Sequence, residues 1–467
     1  MIEDIKPYSA MKTTGLPWCP QVPDHWELKP NRALLRKRKV LVGDQHSEYR
    51  LLSLTKAGVI VRDISTGRGK FSADMGTSQE VREGDLVFCL FDVPETPRTV
   101  GLSRHHGMIT GAYTVFECKD KQLAQFLEAF YIAIDDRKLL SPLYSGLRNT
   151  IPPPVLLGQK TPLPPAPEQA AIVRFLDHAD RKIRRYIRAK QKLIKLLEEQ
   201  KQVIIHRAVT RGLDPNVRLK ASGVEWLGDV PEHWTLYRPK LLFRQVTLPK
   251  PANAEMVTCF RDGQVTLRRN RRTEGFTNAI KELGYQGIMA GQLVLHSMDA
   301  FAGAIGVSDS EGKCSPEYVI CEPSSSGICV KYYALLLRSL ALRGLFVVLC
   351  PSVRERAPRV RFSDFGSFEL PKPPLREQEQ VVDAIEAECS EVERSLQSER
   401  RSVCLVGEYR TRLIADVVTG KLDVREAAAQ LPDDYQEIQL FGDSDEISAS
   451  EDDDTDDLDE APEDAEP

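Results

Sequence analysis

The chain has 467 residues, 42% hydrophobic and 28% charged, which is long enough for two to four domains with real cores. Its ten cysteines form no Cys-x-x-Cys pair, its first residues lack the apolar core of a signal peptide, and no run approaches the about 18 apolar residues of a membrane span. These features exclude a disulfide framework and a paired-cysteine zinc site, and they predict a soluble cytoplasmic protein with free thiols. The formal net charge of -5 is unevenly divided: the segment from Asp443 to Pro467 holds nine Asp and five Glu with no Lys or Arg, so the tail carries -14 and the body +9. A basic body points to a polyanionic partner, and the acidic tail is predicted to be disordered.

In chain order, an N-terminal arm (1–20) leads to Trp18 and then to Val22-Pro23-Asp24-His25-Trp26. The same sequence of features returns as Trp226 followed by Val230-Pro231-Glu232-His233-Trp234. The histidines of this leader read as structural, packing the tryptophans against the adjoining domain. After each leader comes a stretch with short β-like runs, spanning 21–161 and 215–370. Asp85 to Leu90 lies between Gly84 and Asp92, and Gln292 to His296 lies between Gly291 and Asp299. Val100-Gly101 through Tyr113 to Val115 is matched by Ile305-Gly306 through Tyr318 to Ile320. Helical stretches come next at Leu123 to Leu140 and Tyr332 to Leu345. This reads as two diverged copies of one mixed α/β domain.

Each copy is followed by a long helix. Pro164-Pro165-Ala166-Pro167-Glu168-Gln169 opens the first, in the segment 162–214, and Pro373-Pro374-Leu375-Arg376-Glu377-Gln378 opens the second, in 371–424. Proline suits a helix start and a following Glu complements the positive end of the macrodipole. Ile172, Leu176, Ala179, Ile183, Tyr186, Lys190, Leu193, Leu197, Gln200 and Ile204 succeed one another at heptad spacing. Val382, Ile385, Cys389, Val392, Leu396, Glu399, Val403, Val406, Arg410, Leu413 and Val417 do the same in the second. Each helix is expected to be about 60 Å long and to act as a spacer. The predicted architecture is therefore mixed α/β: two pseudo-repeated globular domains joined by two long coiled-coil helices, with an acidic, largely disordered tail over 425–467.

Basic residues concentrate in the globular segments: Lys37, Arg38, Lys39, Arg62, Arg68, Lys70 and Arg148 in the first, and Arg261, Arg268, Arg269, Arg271, Arg272, Arg354, Arg356, Arg359 and Arg361 in the second. Chosen on charge and position, they are the candidate DNA contacts. Phosphate loops, dinucleotide fingerprints, His-Glu-x-x-His and the Asn-Pro-Pro-aromatic motif that holds a flipped adenine are all missing from the sequence. His105 and His106 lack a partner at ligand spacing. No catalytic or metal residue is assigned, and the chain reads as non-enzymatic.

The ordered duplication of leaders, Gly-x-Leu-Val markers and Pro-Pro-x-x-Glu-Gln helices resembles the specificity subunit of type I restriction-modification systems over residues 14 to 424. The resemblance implies that the globular domains are target recognition domains, each reading one half of a split, asymmetric DNA site, while the two long helices pair antiparallel and set their spacing. It further implies partners: double-stranded DNA, two modification subunits that bind S-adenosylmethionine and methylate adenine, and restriction subunits that use ATP and Mg. No cofactor would be bound by this chain itself, and no membrane is involved. The acidic tail is not part of the family's usual pattern. Two other readings stay open: a coiled-coil scaffold that does not read DNA, and a recognition subunit of another DNA-modifying assembly.

Pairing the seams antiparallel, with Ile172 opposite Val417, places Lys190 opposite Glu399. A slipped register would set each charge against aliphatic side chains at a cost of roughly several kcal/mol, so this pair is expected to fix the register.

Overall fold

The computed structural model describes residues 5–62, 75–224, 226–271, 282–349, 359–366 and 368–432. Arg68, Lys70, Arg272, Arg354, Arg356 and the acidic tail fall outside them. The chain divides into two compact units. The first contains the described residues up to Lys190 and from Ser402 onward; the second contains those from Gln191 to Arg401.

The first unit is built on a four-stranded antiparallel sheet in the order Leu35–Arg38, Thr114–Cys118, Leu86–Phe88, Val100–Leu102. Its strands are apolar on both faces because both are covered. Leu86, Phe88 and Phe116 join the core beneath the helix Lys121–Asp135, with Phe126, Leu127 and Phe130, whereas the alternate residues Val87 and Val115 face a second cluster with Leu52, Val59, Val81 and Ile109. Leu52 and Val59 come from the hairpin Leu52–Thr55/Gly58–Val61, and Val81 and Ile109 from the pair Gln79–Val81/Gly107–Ile109. The helix starts at Asp120, whose carboxylate accepts from the Gln122 and Leu123 amides. It ends at Asp135 rather than at Leu140: the buried Asp135 carboxylate accepts from Thr99 N at 2.8 Å and from Lys138 Nζ at 2.7 Å, and Lys138 turns the chain with φ 47°.

The second unit has a sheet in the order Phe243–Gln245, Tyr318–Pro323, Leu293–His296, Ile305–Val307. The two-residue period again splits its side chains. Leu293, Leu295, Val319 and Cys321 face the helix Val330–Leu342, with Tyr332, Tyr333, Leu336 and Leu337; Val294, Tyr318 and Ile320 face Val257, Cys259, Val265 and Ile288. The expected helix to Leu345 is interrupted at Gly344, whose φ of 88° is left-handed, and a short helix Leu345–Leu349 succeeds it.

The long helices are Ala166–Arg211, of 46 residues, and Leu375–Val418, of 44. At 1.5 Å per residue each is somewhat longer than expected, about 65–70 Å. Gly212 (φ 73°) and Gly420 (φ 71°) supply the left-handed turns beyond their ends. Within the first unit their segments run antiparallel: Arg410 Nε donates to Asp180 Oδ1 at 2.5 Å, Tyr186 Oη lies 3.2 Å from Ser402 Oγ, and Ile172, Leu176 and Ala179 share a core with Leu413 and Val417. Within the second unit, Ile205, Ala208 and Val209 share a core with Val381, Val382 and Ile385, and Lys201 Nζ donates to Glu393 Oε2 at 2.7 Å.

The seam of the first helix departs from the heptad reading. Tyr186, Leu193 and Gln200 are exposed, whereas Ile187, Ile194 and Lys201 are half-buried and Ile205 is buried. A helix of 3.6 residues per turn drifts by about 20° per heptad against a strict 3.5 repeat, and a second consecutive step of four, from Ile183 to Ile187, absorbs that drift. Every seam position expected in the second helix is buried or half-buried. Among the described residues no helix is long and apolar enough to cross a membrane.

Candidate nucleic-acid interface

Each globular part is fixed to its long helix by the glutamate of the Pro-Pro-x-x-Glu-Gln opening. Glu168 is 4% exposed and sits at the positive end of its helix. Its Oε1 accepts from Trp26 Nε1 at 2.8 Å and from the Tyr8 hydroxyl, and His25 Nε2 lies 2.7 Å from its Oε2. Burial, then the Glu168 carboxylate, pushes the Tyr8 hydroxyl well above its usual pKa. In the second unit His233 Nε2 lies 2.9 Å from Glu377 Oε2. The glutamines turn back on the prolines: Gln169 Nε2 donates to Pro164 O and Gln378 Nε2 to Pro373 O, both at 2.8 Å. Lys12 and Lys220 each donate to the carbonyl of the leader's last tryptophan, Trp26 and Trp234. Both leader histidines are therefore structural, holding the helix opening.

This framework displays different basic groups in the two units. In the first, Arg38 is turned inward. Its guanidinium, 13% exposed, pairs with Asp85 and lies 3.5 Å from Glu80. Burial raises the Asp85 pKa, while the Arg82 amide and Arg38 oppose the rise. Burial also acts to raise Glu80, but hydrogen bonds from His106 and Arg82 and the charges of Arg82 and Arg38 hold it below the usual carboxylate range. Arg38 thus stabilises buried carboxylates. Its neighbours Lys37 and Lys39 are exposed and form no ion pair among the described residues. Arg62 comes just after the strand Gly58–Val61, remote in sequence from Arg148. Arg148 is 73% exposed; it donates to Asp92 Oδ2 at 2.7 Å, and its guanidinium lies 5.8 Å from the Phe91 ring centroid.

In the second unit the hairpin Val257–Cys259/Val265–Leu267 and the residues next to it hold four of the six described candidates. Arg261 pairs with Asp299 at 3.0 Å, Arg269 with Glu255 at 2.7 Å, and Arg271 with Asp262 at 2.6 Å while lying over the Phe260 ring; Arg268 Nε donates to Thr258 Oγ1 at 3.2 Å. Arg359 pairs with Glu317 at 3.4 Å, and Arg361 precedes the turn of helix Phe362–Phe365. Exposed pairs of this kind are worth only about 0–1 kcal/mol, so these arginines can exchange a carboxylate for a phosphate at small cost. Of the two residues expected to fix the register, Lys190 lies 5.5 Å from the Tyr186 ring centroid in the first unit, and Glu399 is half-buried on the second helix in the other unit.

Two features escaped the sequence reading. Arg32, Arg36 and Lys119 line an open cavity of about 170 Å³ beside Glu117: Arg32 from the short helix Asn31–Leu34, Arg36 from the edge strand Leu35–Arg38 and Lys119 from the end of its neighbour Thr114–Cys118. Nothing in one dimension separated them from other basic residues. Leu147 projects completely into solvent beside Arg148. Its setting in Ser145-Gly146-Leu147-Arg148-Asn149-Thr150, a turn rich in residues that accept positive φ, was the available signal.

No protein-family model matches the chain. Among solved structures it is similar to a chain from a structure of a type I R-M system concerned with complex assembly and conformational transition, with a TM-score of 0.61 and 13% identity over 86% of this chain and 99% of that one. It is also similar to the HsdS subunit from Thermoanaerobacter tengcongensis (TM-score 0.42, 13% identity, 86% and 98% covered). A third is the S subunit of a type I restriction-modification system from M. genitalium (TM-score 0.33, 11% identity, 84% and 96% covered). At 13% identity the first likeness is one of fold, and it extends over almost the whole of that chain.

Proposed function

We propose that the chain is the DNA-recognition subunit of a type I restriction-modification complex, reading a two-part, asymmetric duplex target with one unit per half. The observation that carries this reading is that the same sheet order and the same Glu-His clamp recur in both units while the exposed basic groups differ. A duplicated frame with unlike surfaces is what two unlike half-sites require. The fold likeness to a chain of a type I system supports it.

On this reading the duplicated helices form a coiled-coil ruler whose register Lys190 and Glu399 set. They offer two equivalent docking places for methyltransferase subunits. Restriction subunits complete the assembly. S-adenosylmethionine, ATP and Mg serve those partners, and the chain itself contributes geometry and DNA contacts rather than a catalytic group.

Mapping methylated sites in host DNA tests the reading. Exchanging residues 24–160 for the corresponding segment of a relative is expected to change one half of the methylated site only. Change in both halves, or an unaltered methylation pattern after deletion of the gene, overturns it. A scaffold that does not read DNA would show no binding of duplex that falls steeply with salt.

A further inference from the structure

Leu147 has a relative exposure of 104%, so its side chain is fully open to solvent. The turn that carries it is nevertheless firmly built. Ser145 and Thr150 exchange backbone hydrogen bonds at 2.9 and 3.0 Å, and Gly146 (φ 69°) and Asn149 (φ 43°) both adopt left-handed conformations that most residues disfavour. The turn is anchored to the loop beyond the strand Leu86–Phe88. Asp92 N donates to Arg148 O at 2.8 Å, Arg148 Nη2 donates to Asp92 Oδ2 at 2.7 Å, and Ile151 N donates to Leu90 O at 2.8 Å. Phe91, beneath the guanidinium, stacks on Tyr113 with ring centroids 6.0 Å apart.

The result is one branched apolar side chain raised on a stiff support, with an exposed cation as its neighbour. Its neighbours within the turn are Gly146, Arg148 and Asn149, so the turn itself presents a single apolar side chain and not a patch of the size a protein interface needs. A DNA base step, by contrast, accepts one apolar side chain, provided that a cation holds the phosphate beside it. A preformed support also means that little ordering entropy is lost on insertion.

Resting on the reading of the chain as a DNA-recognition subunit, we propose that Leu147 is an apolar wedge that enters the duplex between two base pairs of the half-site read by the first unit. Arg148 exchanges Asp92 for the adjacent phosphate. The wedge makes recognition depend on how easily that step unstacks, a form of sequence reading that needs no hydrogen bond to a base edge.

The test uses the full chain with its modification subunits and duplexes carrying the mapped target, with 2-aminopurine placed at successive adenines. Wild-type protein is expected to raise 2-aminopurine fluorescence at one step of that half-site other than the methylated adenines, whose extrusion by the modification subunits raises it independently of Leu147. Leu147→Ala should abolish that rise and weaken target binding by roughly tenfold, as expected for losing a buried leucine contact. Leu147→Met should retain both effects, and binding to unrelated duplex should be unchanged. Target binding by wild type without unstacking at any such step, or identical fluorescence and affinity for Leu147→Ala, overturns the wedge while leaving the recognition reading intact. Loss of the modification subunits from Leu147→Ala also overturns it, by making the leucine a protein contact. Wild-type protein that binds no duplex overturns both.

Discussion

The indole Nε1 of Trp26 donates to Glu168 Oε1 over 2.8 Å, tying the last residue of the leader to the first turn of a helix 142 positions later. Trp234 is as deeply buried, yet its Nε1 has no hydrogen-bond partner among the described residues, although the half-exposed His233 engages Glu377 as His25 engages Glu168. The same motif therefore clamps the two units unequally. Glu168→Ala strands the Tyr8 hydroxyl and the Trp26 indole, and it should destabilise the first unit by about 3 kcal/mol. Glu377→Ala should cost about 1 kcal/mol. Urea unfolding, with hydrogen exchange to locate the loss, checks both values.

Among the basic candidates, burial predicts two kinds of behaviour. Arg38→Ala leaves the buried Asp85 carboxylate without its cation and should cost about 3 kcal/mol in stability. Arg271→Ala removes an exposed pair and a contact with the Phe260 ring and should change stability by about 1 kcal/mol. It should instead weaken duplex binding and lower the slope of log affinity against log salt by about one. Unfolding curves and salt titrations on the two variants separate these outcomes.

Gly101 and Gly306 occupy matching places in their sheets, and both are required by close approach. A Cβ on Gly306 would lie 1.9 Å from the Gly263 carbonyl oxygen, whereas one on Gly101 would first meet Leu54 Cδ1 at 2.7 Å. A side chain can turn aside; a strand-connecting carbonyl must move with its hairpin. Gly306→Ala should therefore cost about 3 kcal/mol and Gly101→Ala about 1 kcal/mol, read from urea midpoints at constant slope.

His206 Nδ1 lies 3.1 Å from Ser339 Oγ on the buried side of the first long helix. Burial, followed by the charges of Arg343 and Arg211, lowers its pKa below the usual 6.5. The unfolded chain then binds a proton that the folded chain resists, so stability is full above pH 6.5 and declines as pH falls toward the lowered folded value. His206→Gln should flatten this part of the stability profile. Denaturation midpoints measured between pH 7.5 and about 5.5 test it.

The sequence by itself determined the frame. Alternating apolar residues such as Leu86, Val87 and Phe88 are sorted by strand geometry to opposite faces wherever the sheet lies. Glu168 and Glu377 are marked by the prolines before them, and Gly212 and Gly420 end the helices because they alone accept the left-handed turn cheaply. These are local rules that need no knowledge of distant partners. Only the tertiary structure decided which charges and which seam residues face inward. Arg38 and Lys37 are adjacent and alike in one dimension, yet Asp85, 47 positions away from Arg38, turns one into an internal counter-ion and leaves the other in solvent. Tyr186 gives way to Ile187 in the seam because helical drift accumulates over turns. Leu147 stands exposed because its turn is bolted at its base to Asp92. Each of these outcomes depends on what lies across space, and chain order alone does not encode that distance.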